Sequence, residues 1–275
     1  MSDIALFSQG GNTLPAHLRN LELDATTKAL MGGGGGAKRI SIEGGVFRML
    51  VGGKEVAVNE DRSMNMIIVK AAANNARVFY AGTYVKGQVS APDCWSNDGI
   101  TSDAKSRNRQ AEKCADCPQN IKGSGQGESR ACRFQRRLAV IPENEPNGFV
   151  YQLTLPSTSI FGDGANGKWP LLAYAKHLAA HGAPITGVIT EMRFDTSSPT
   201  PKLVFKPVRP ITEDEFNMVQ AAKDAPEAQA AVTMTVAQTD GVRNAPAALP
   251  EPKVAAKKTE PDTKLSDLLN EFDDE

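Results

Sequence analysis

The sequence predicts a mainly β protein, a small closed or partly closed barrel with one insertion and one or two helices. Three observations carry this. Short alternating or β-branched runs recur from about 37 to 210, often separated by glycine pairs. One segment, KWPLLAYAKHLAAHG, has a strong helical pattern. The strands are interrupted by a polar stretch, from about 92 to 137, that holds all four cysteines.

In chain order, residues 1–36 read as an irregular arm, ending in the five glycines Gly32 to Gly36. A glycine run has no packing surface and high backbone entropy, so it reads as a joint. RISIEGGVFRMLVGGKEVAV alternates, with Gly44-Gly45 and Gly52-Gly53 as hairpin turns. MNMIIVKAA reads as a buried strand and ARVFYAGTYVKGQV as one or two more. Strand character returns at RRLAVIP, GFVYQLTLP, ITGVITEMRFD and KLVFKPVRP. The helix over KWPLLAYAKHLAAHG has Pro170 near its start and Gly182 just after it. Thr212 is the expected N-cap of a further helix, with acids in its first turn. Residues of about 222–262 are rich in Ala, Pro, Thr, Lys and Glu with little to bury, which predicts disorder. The domain reading is therefore 1–36 as arm, 37–215 as body, and 216–275 as a helix remnant, linker and acidic tail.

Bulk properties narrow the function classes. No apolar run reaches the roughly 18 residues of a membrane span. The start, MSDIALFSQGGN, lacks the basic region and apolar run of a secretory signal, which predicts a cytosolic protein with reduced thiols. Residues 222–275 carry 11 acidic and 6 basic side chains, leaving 21 acidic and 25 basic in the rest. A mildly basic body carries an acidic end.

Cys94, Cys114, Cys117 and Cys132 follow the spacing C-x19-C-x2-C-x14-C. Two thiolates on a tight turn and two from flanking segments can close a tetrahedral site, and four thiolates leave no open position. That set points to a structural zinc. Reduced thiols without metal and an iron–sulfur cluster are the alternatives. The region has few apolar residues, so metal binding would replace a missing core. Catalytic readings fail on residues. The C-x-x-C lacks the preceding proline and upstream H-x-E of zinc nucleobase deaminases. His177 and His181 lack the glutamate of H-E-x-x-H and read as an exposed helical pair. There is no G-x-S-x-G, and no carboxylate cluster stands at convincing spacing for a magnesium nuclease. The chain is not expected to be an enzyme.

Nine basic residues lie between Cys94 and Val140 against five acids. Aromatics sit beside bases on the predicted strands and beside the cysteines. Cations along a backbone and flat rings under bases are what single-stranded nucleic acid requires. The candidate contacts are Lys38, Arg39, Arg77, Tyr80, Tyr84, Lys86, Trp95, Arg107, Arg133, Phe134, Arg136 and Arg137. Phe47, Phe79 and Phe149 read as core, and Trp169 as packing the start of its helix.

From Glu260 to Glu275 there are seven acids and one lysine, interleaved with leucines at helical spacing. Leu268, Leu269, Phe272, Asp273, Asp274 and Glu275 form a candidate partner-binding tail, which could also occupy the protein's own cationic groove. Barrel, basic aromatic face, linker and terminal LLNEFDDE together resemble the single-stranded DNA-binding proteins of tailed bacteriophages. GAKRISIEGGVFRMLVGGKEV and KCADCPQN…GESRACRFQRRLAV also resemble phage proteins of this kind. The resemblance implies an OB-fold barrel, in some members with a zinc-stabilised subdomain, and an acidic tail that recruits replication or recombination proteins. It implies work in the cytoplasm of a bacterial host. The all-cysteine ligand set departs from the best-known member, so no DNA-contact residue is carried over. Self-association into a homo-oligomer is compatible with this reading. The alternative function is a zinc-containing regulatory protein that contacts duplex DNA or a polymerase.

Overall fold

The computed structural model describes residues 37–82, 91–145 and 148–234. Its strands are β1 (Lys38–Ser41), β2 (Phe47–Val51), β3 (Lys54–Asn59), β4 (Ser63–Ala71), β5 (Ala76–Phe79), β6 (Cys94–Ser96), β7 (Arg133–Pro142), β8 (Tyr151–Pro156), β9 (Val188–Phe194) and β10 (Leu203–Pro210). The α-helices are α1 (Ser157–Ile160), α2 (Leu171–Ala180), α3 (Glu213–Lys223) and α4 (Pro226–Val232). The protein is mainly β, as expected.

Eight strands form one sheet in the order β10-β9-β4-β7-β8-β1-β2-β3, and β5 and β6 extend from β7. The β1–β8 pair is parallel and its neighbours are antiparallel. The sheet is curled and open, a half-barrel with β10 and β3 at its ends, so strand-to-strand closure is not part of the described fold. Its curl is visible in one contact. Phe47 of β2 and Phe194 of β9 lie far apart in strand order, yet their rings meet at 4.8 Å. The inside of the curl is the main core, with Phe47, Met66, Ile68, Leu138, Val140, Leu153, Leu155, Tyr174 and Phe205 among its members. Each large apolar side chain buried this way contributes about 1.5–3 kcal/mol.

The sequence dictates much of this locally. Gly52 and Gly53 turn β2 into β3 with φ of 58° and 78°, the left-handed pair that a two-residue hairpin turn demands. α2 begins after Pro170 and ends before Gly182, as read from its flanks. Trp169 packs along α2 as far as its last turn, 6.4 Å from Tyr174 and stacked on His177 at 4.0 Å, so His177 is half-buried and not exposed as expected. His181 in turn lies 4.5 Å from His177. α3 opens with a complete capping box, in which Thr212 Oγ1 accepts from Glu215 N–H and Glu215 accepts from Thr212 N–H.

The four-residue buried run Met66–Val69 has a specific cause. Met66 and Ile68 face the curl, while Ile67 and Val69 face the C-terminal helices. This revises the C-terminal boundary of the body. Composition predicts disorder from about 222, but α3 continues to Lys223 and α4 covers the outer face of the sheet. Ala222, Ala228 and Ala231 pack on Val69, Ala139 and Ile141. A composition of alanines looks unable to bury anything. Against a sheet face that itself offers Ala139, small side chains allow close approach and lose no rotamer freedom.

Arg209 ties this helical layer to the sheet. It meets Glu143 at 2.7 Å and Glu215 at 2.8 Å. The Arg209 hydrogen bonds hold the Glu215 carboxyl down at about 2, and Lys202 does the same for Asp195, also to about 2. A depressed folded-state pKa adds stability above the unfolded value and loses it as pH falls. Stability is therefore expected to fall between about pH 4.5 and pH 2. Glu215→Gln should flatten part of that fall in an acid denaturation series followed by circular dichroism. An identical acid profile in the variant would remove Glu215 from the account.

Candidate nucleic-acid interface and cysteine cluster

β6 carries Cys94 into the site. It pairs with β5, setting Phe79 opposite Cys94, Val78 opposite Trp95 and Arg77 opposite Ser96. Alternation along a strand puts Cys94 and Trp95 on opposite faces. The chain then turns at Asp98, whose carboxylate accepts from Ile100 N–H, Thr101 N–H and the Ser96 hydroxyl. The backbone bonds lead in holding that carboxyl below the usual range. Gly99 sits in this turn with φ of 73°, and a Cβ there would lie 2.5 Å from the Asn75 carbonyl oxygen, so only glycine fits.

The second limb returns through Cys114, whose N–H donates to the Ile100 carbonyl at 2.7 Å. Two tight turns, Cys114–Asp116 and Pro118–Asn120, hold Cys117 between them. The Asn120 amide donates to the Cys114 carbonyl at 2.9 Å. Cys132 N–H donates to the Gln119 carbonyl at 2.8 Å, just before the chain enters β7. Side-chain and backbone polar groups, rather than an apolar core, shape the insertion.

Cys94, Cys114, Cys117 and Cys132 all line one cavity of about 10 Å³, room for a single water-sized or ion-sized occupant. None is in a disulfide. Among the described residues, no three His, Cys, Asp or Glu side chains stand as a ready metal-holding group. A zinc tetrahedron brings thiolate sulfurs to about 3.8 Å from one another. Burial pushes the Cys132 thiol up to about 11 and raises that of Cys114. A divalent cation would displace the thiol protons as it bound and draw the sulfurs together. By donor chemistry and by convergence on one cavity, the four cysteines fit such an ion.

Arg77 is the cation closest to this chemistry. It lines the same cavity and lowers the proton affinity of Cys114 and Cys132. Its Nε–H donates to the Gly99 carbonyl at 3.1 Å, and Nη1 donates to Asn120 Oδ1 at 2.5 Å. Arg77 thereby joins both limbs of the insertion to β5. Its guanidinium also lies 3.9 Å from the ring centre of Phe134, its cross-strand partner on β7.

The remaining sequence candidates divide. Arg133 is exposed at the start of β7, on the face opposite Phe134, and neither Arg130 nor Arg133 has a side-chain hydrogen bond or ion pair among the described residues. Arg107 is exposed at 72% and pairs with Asp93 at 2.6 Å. Tyr80 is 38% exposed at the end of β5. Lys38 lies on β1, 4.2 Å over the Phe149 ring, and Arg39 follows it opposite Gln152. β8 separates β1 from β7, so these two do not join the Arg77–Phe134 group directly.

Three candidates are placed as supports instead of contacts. Trp95 is 5% exposed, packed with Ala76, Val78 and Met234 on the face away from Cys94. Arg137 is 2% exposed and donates to the Thr233 carbonyl at 2.9 Å. Arg136 donates to the carbonyls of Ala72 and Ala73 and to Asn75, and burial lowers its pKa. Charge and aromaticity alone gave no way to tell these from exposed groups. Tyr84, Lys86 and the tail residues Leu268, Leu269, Phe272, Asp273, Asp274 and Glu275 lie outside the described residues.

One residue escapes sequence reasoning. Phe161, directly after α1, is 40% exposed, and its ring meets Phe134 edge-on at 5.4 Å and 68°. The only signal is a lone aromatic at the head of the glycine-rich FGDGANGK turn.

No known protein family, curated protein or solved structure matches the chain. Among the described residues, no helix is long and apolar enough to cross a membrane.

Proposed function

We propose that the protein binds single-stranded DNA without strong sequence preference and has no catalytic role. The observation that supports this best is the Arg77–Phe134 pair, where a cation and a ring lie together at the junction of the cysteine-bearing insertion and the sheet. Arg130 and Arg133, where the chain leaves the insertion, are exposed, with no side-chain partner among the described residues. A structural zinc held by Cys94, Cys114, Cys117 and Cys132 would order the insertion. Zinc bound by four thiolates carries two net negative charges, and Arg77 is placed to offset part of that. The curled sheet would present its strands to nucleic acid as an OB-like barrel does, with phosphates on cations and bases on rings. Through its resemblance to phage proteins, the chain would act in phage DNA replication or recombination, recruiting partners by its acidic tail.

The experiment is a salt series on a variant. Replacing Arg130 and Arg133 together by serine should weaken oligo-dT binding uniformly across sequences. The slope of log affinity against log salt should fall by about 1–2. An unchanged slope would place the phosphates elsewhere.

A further inference from the structure

We infer that Phe161 is a base-stacking residue, paired with Phe134 as a two-ring step at the edge of the insertion. This rests on the single-strand reading above and adds a contact that reading did not contain.

Four observations carry it. Phe161 is 40% exposed, although it directly follows Ser159 and Ile160, which are fully buried. A phenylalanine that had only to fill space could follow them inward. Its ring meets Phe134 edge-on at 5.4 Å, so the partner ring fixes its position while leaving area free. The Phe134 ring is itself held by the Arg77 guanidinium at 3.9 Å, and Arg77 is fixed by Gly99 and Asn120. The step is therefore braced through three side chains from different segments. Finally, the loop after Phe161 turns back on the protein. A Cβ on Gly164 would collide with the Trp169 ring, so this loop packs on Trp169.

A ring exposed and rigidly backed costs little entropy to bind a base. The ligand class is any unpaired nucleobase, since stacking uses the π-face that every base has.

The test compares full-length protein with Phe161→Ala, Phe161→Leu and Phe161→Trp in equilibrium binding to labelled oligo-dT over a salt series. Phe161→Ala and Phe161→Leu should each weaken binding by about 5- to 150-fold. The salt slope should stay unchanged, because no charge is lost. Phe161→Trp should restore binding, and its added fluorescence should be quenched by the oligonucleotide. Leucine keeps most of the packing volume, so a merely structural role would leave Phe161→Leu near wild type. Undiminished affinity in either Phe161→Ala or Phe161→Leu would overturn the proposal while the single-strand reading stands. Absence of oligo-dT binding by the wild type would overturn both.

Discussion

If the proposed four-thiolate zinc site is right, replacing Cys117 by serine is expected to abolish metal binding and unfold the insertion while the sheet persists. Cys117 is 6% exposed and sits between the two tight turns that organise the second limb. Metal binding in small zinc domains supplies on the order of 10–16 kcal/mol, much of the free energy that folds them. Here the insertion contributes almost no apolar core of its own. None of the main-core residues lies between 92 and 132, so the half-barrel does not depend on this segment for burial. Metal content should fall from about one ion per chain to near zero. New protease cleavage should appear within residues 97–131 while the far-ultraviolet β signal is retained. Full metal content in the variant, or a wild type that binds no metal, would contradict a four-thiolate site.

Phe47→Ala should cost about 3–5 kcal/mol. Phe47 is fully buried, and its ring against Phe194 is the contact that spans the two limbs of the curled sheet. Truncation leaves a cavity at the place where the curl closes on itself. The check is urea denaturation of wild type, Phe47→Ala and Val58→Ala. Val58 is 39% exposed on the end strand β3, and its truncation should stay within about 0.5 kcal/mol. A Phe47→Ala cost as small as that of Val58→Ala would mean that the curl is held elsewhere.

Most of the strand pattern was legible because its causes are local. The glycine pair at 52–53 and the alternation around it define a hairpin without reference to anything distant. The capping box at Thr212 and the Pro170–Gly182 brackets of α2 are likewise short-range signals. What was not legible depends on long-range partners. Helix α4 reads as linker because alanines are neutral in composition, and the value of Ala228 and Ala231 appears only against Ala139 and Ile141. Trp95 and Arg137 read as available because strand alternation says which residues share a face, but not which face is covered. Met234 and Thr233, far along the chain, cover them. Phe161 is invisible in the sequence for the converse reason, since its significance lies in Phe134 across the fold. The cysteine spacing names a candidate metal set, and all four residues line one cavity with Arg77 among its other lining residues.

Preference for a single strand over a duplex is what the proposed function most needs. The most direct measurement is equilibrium binding of a labelled oligo-dT and a matching duplex across a salt series, with metal assayed on the same sample. The account predicts tight, salt-sensitive binding to the single strand, weaker binding to the duplex, and about one zinc per chain. Preference for the duplex, or no binding to either, would contradict it and favour a regulatory protein that contacts duplex DNA or a polymerase.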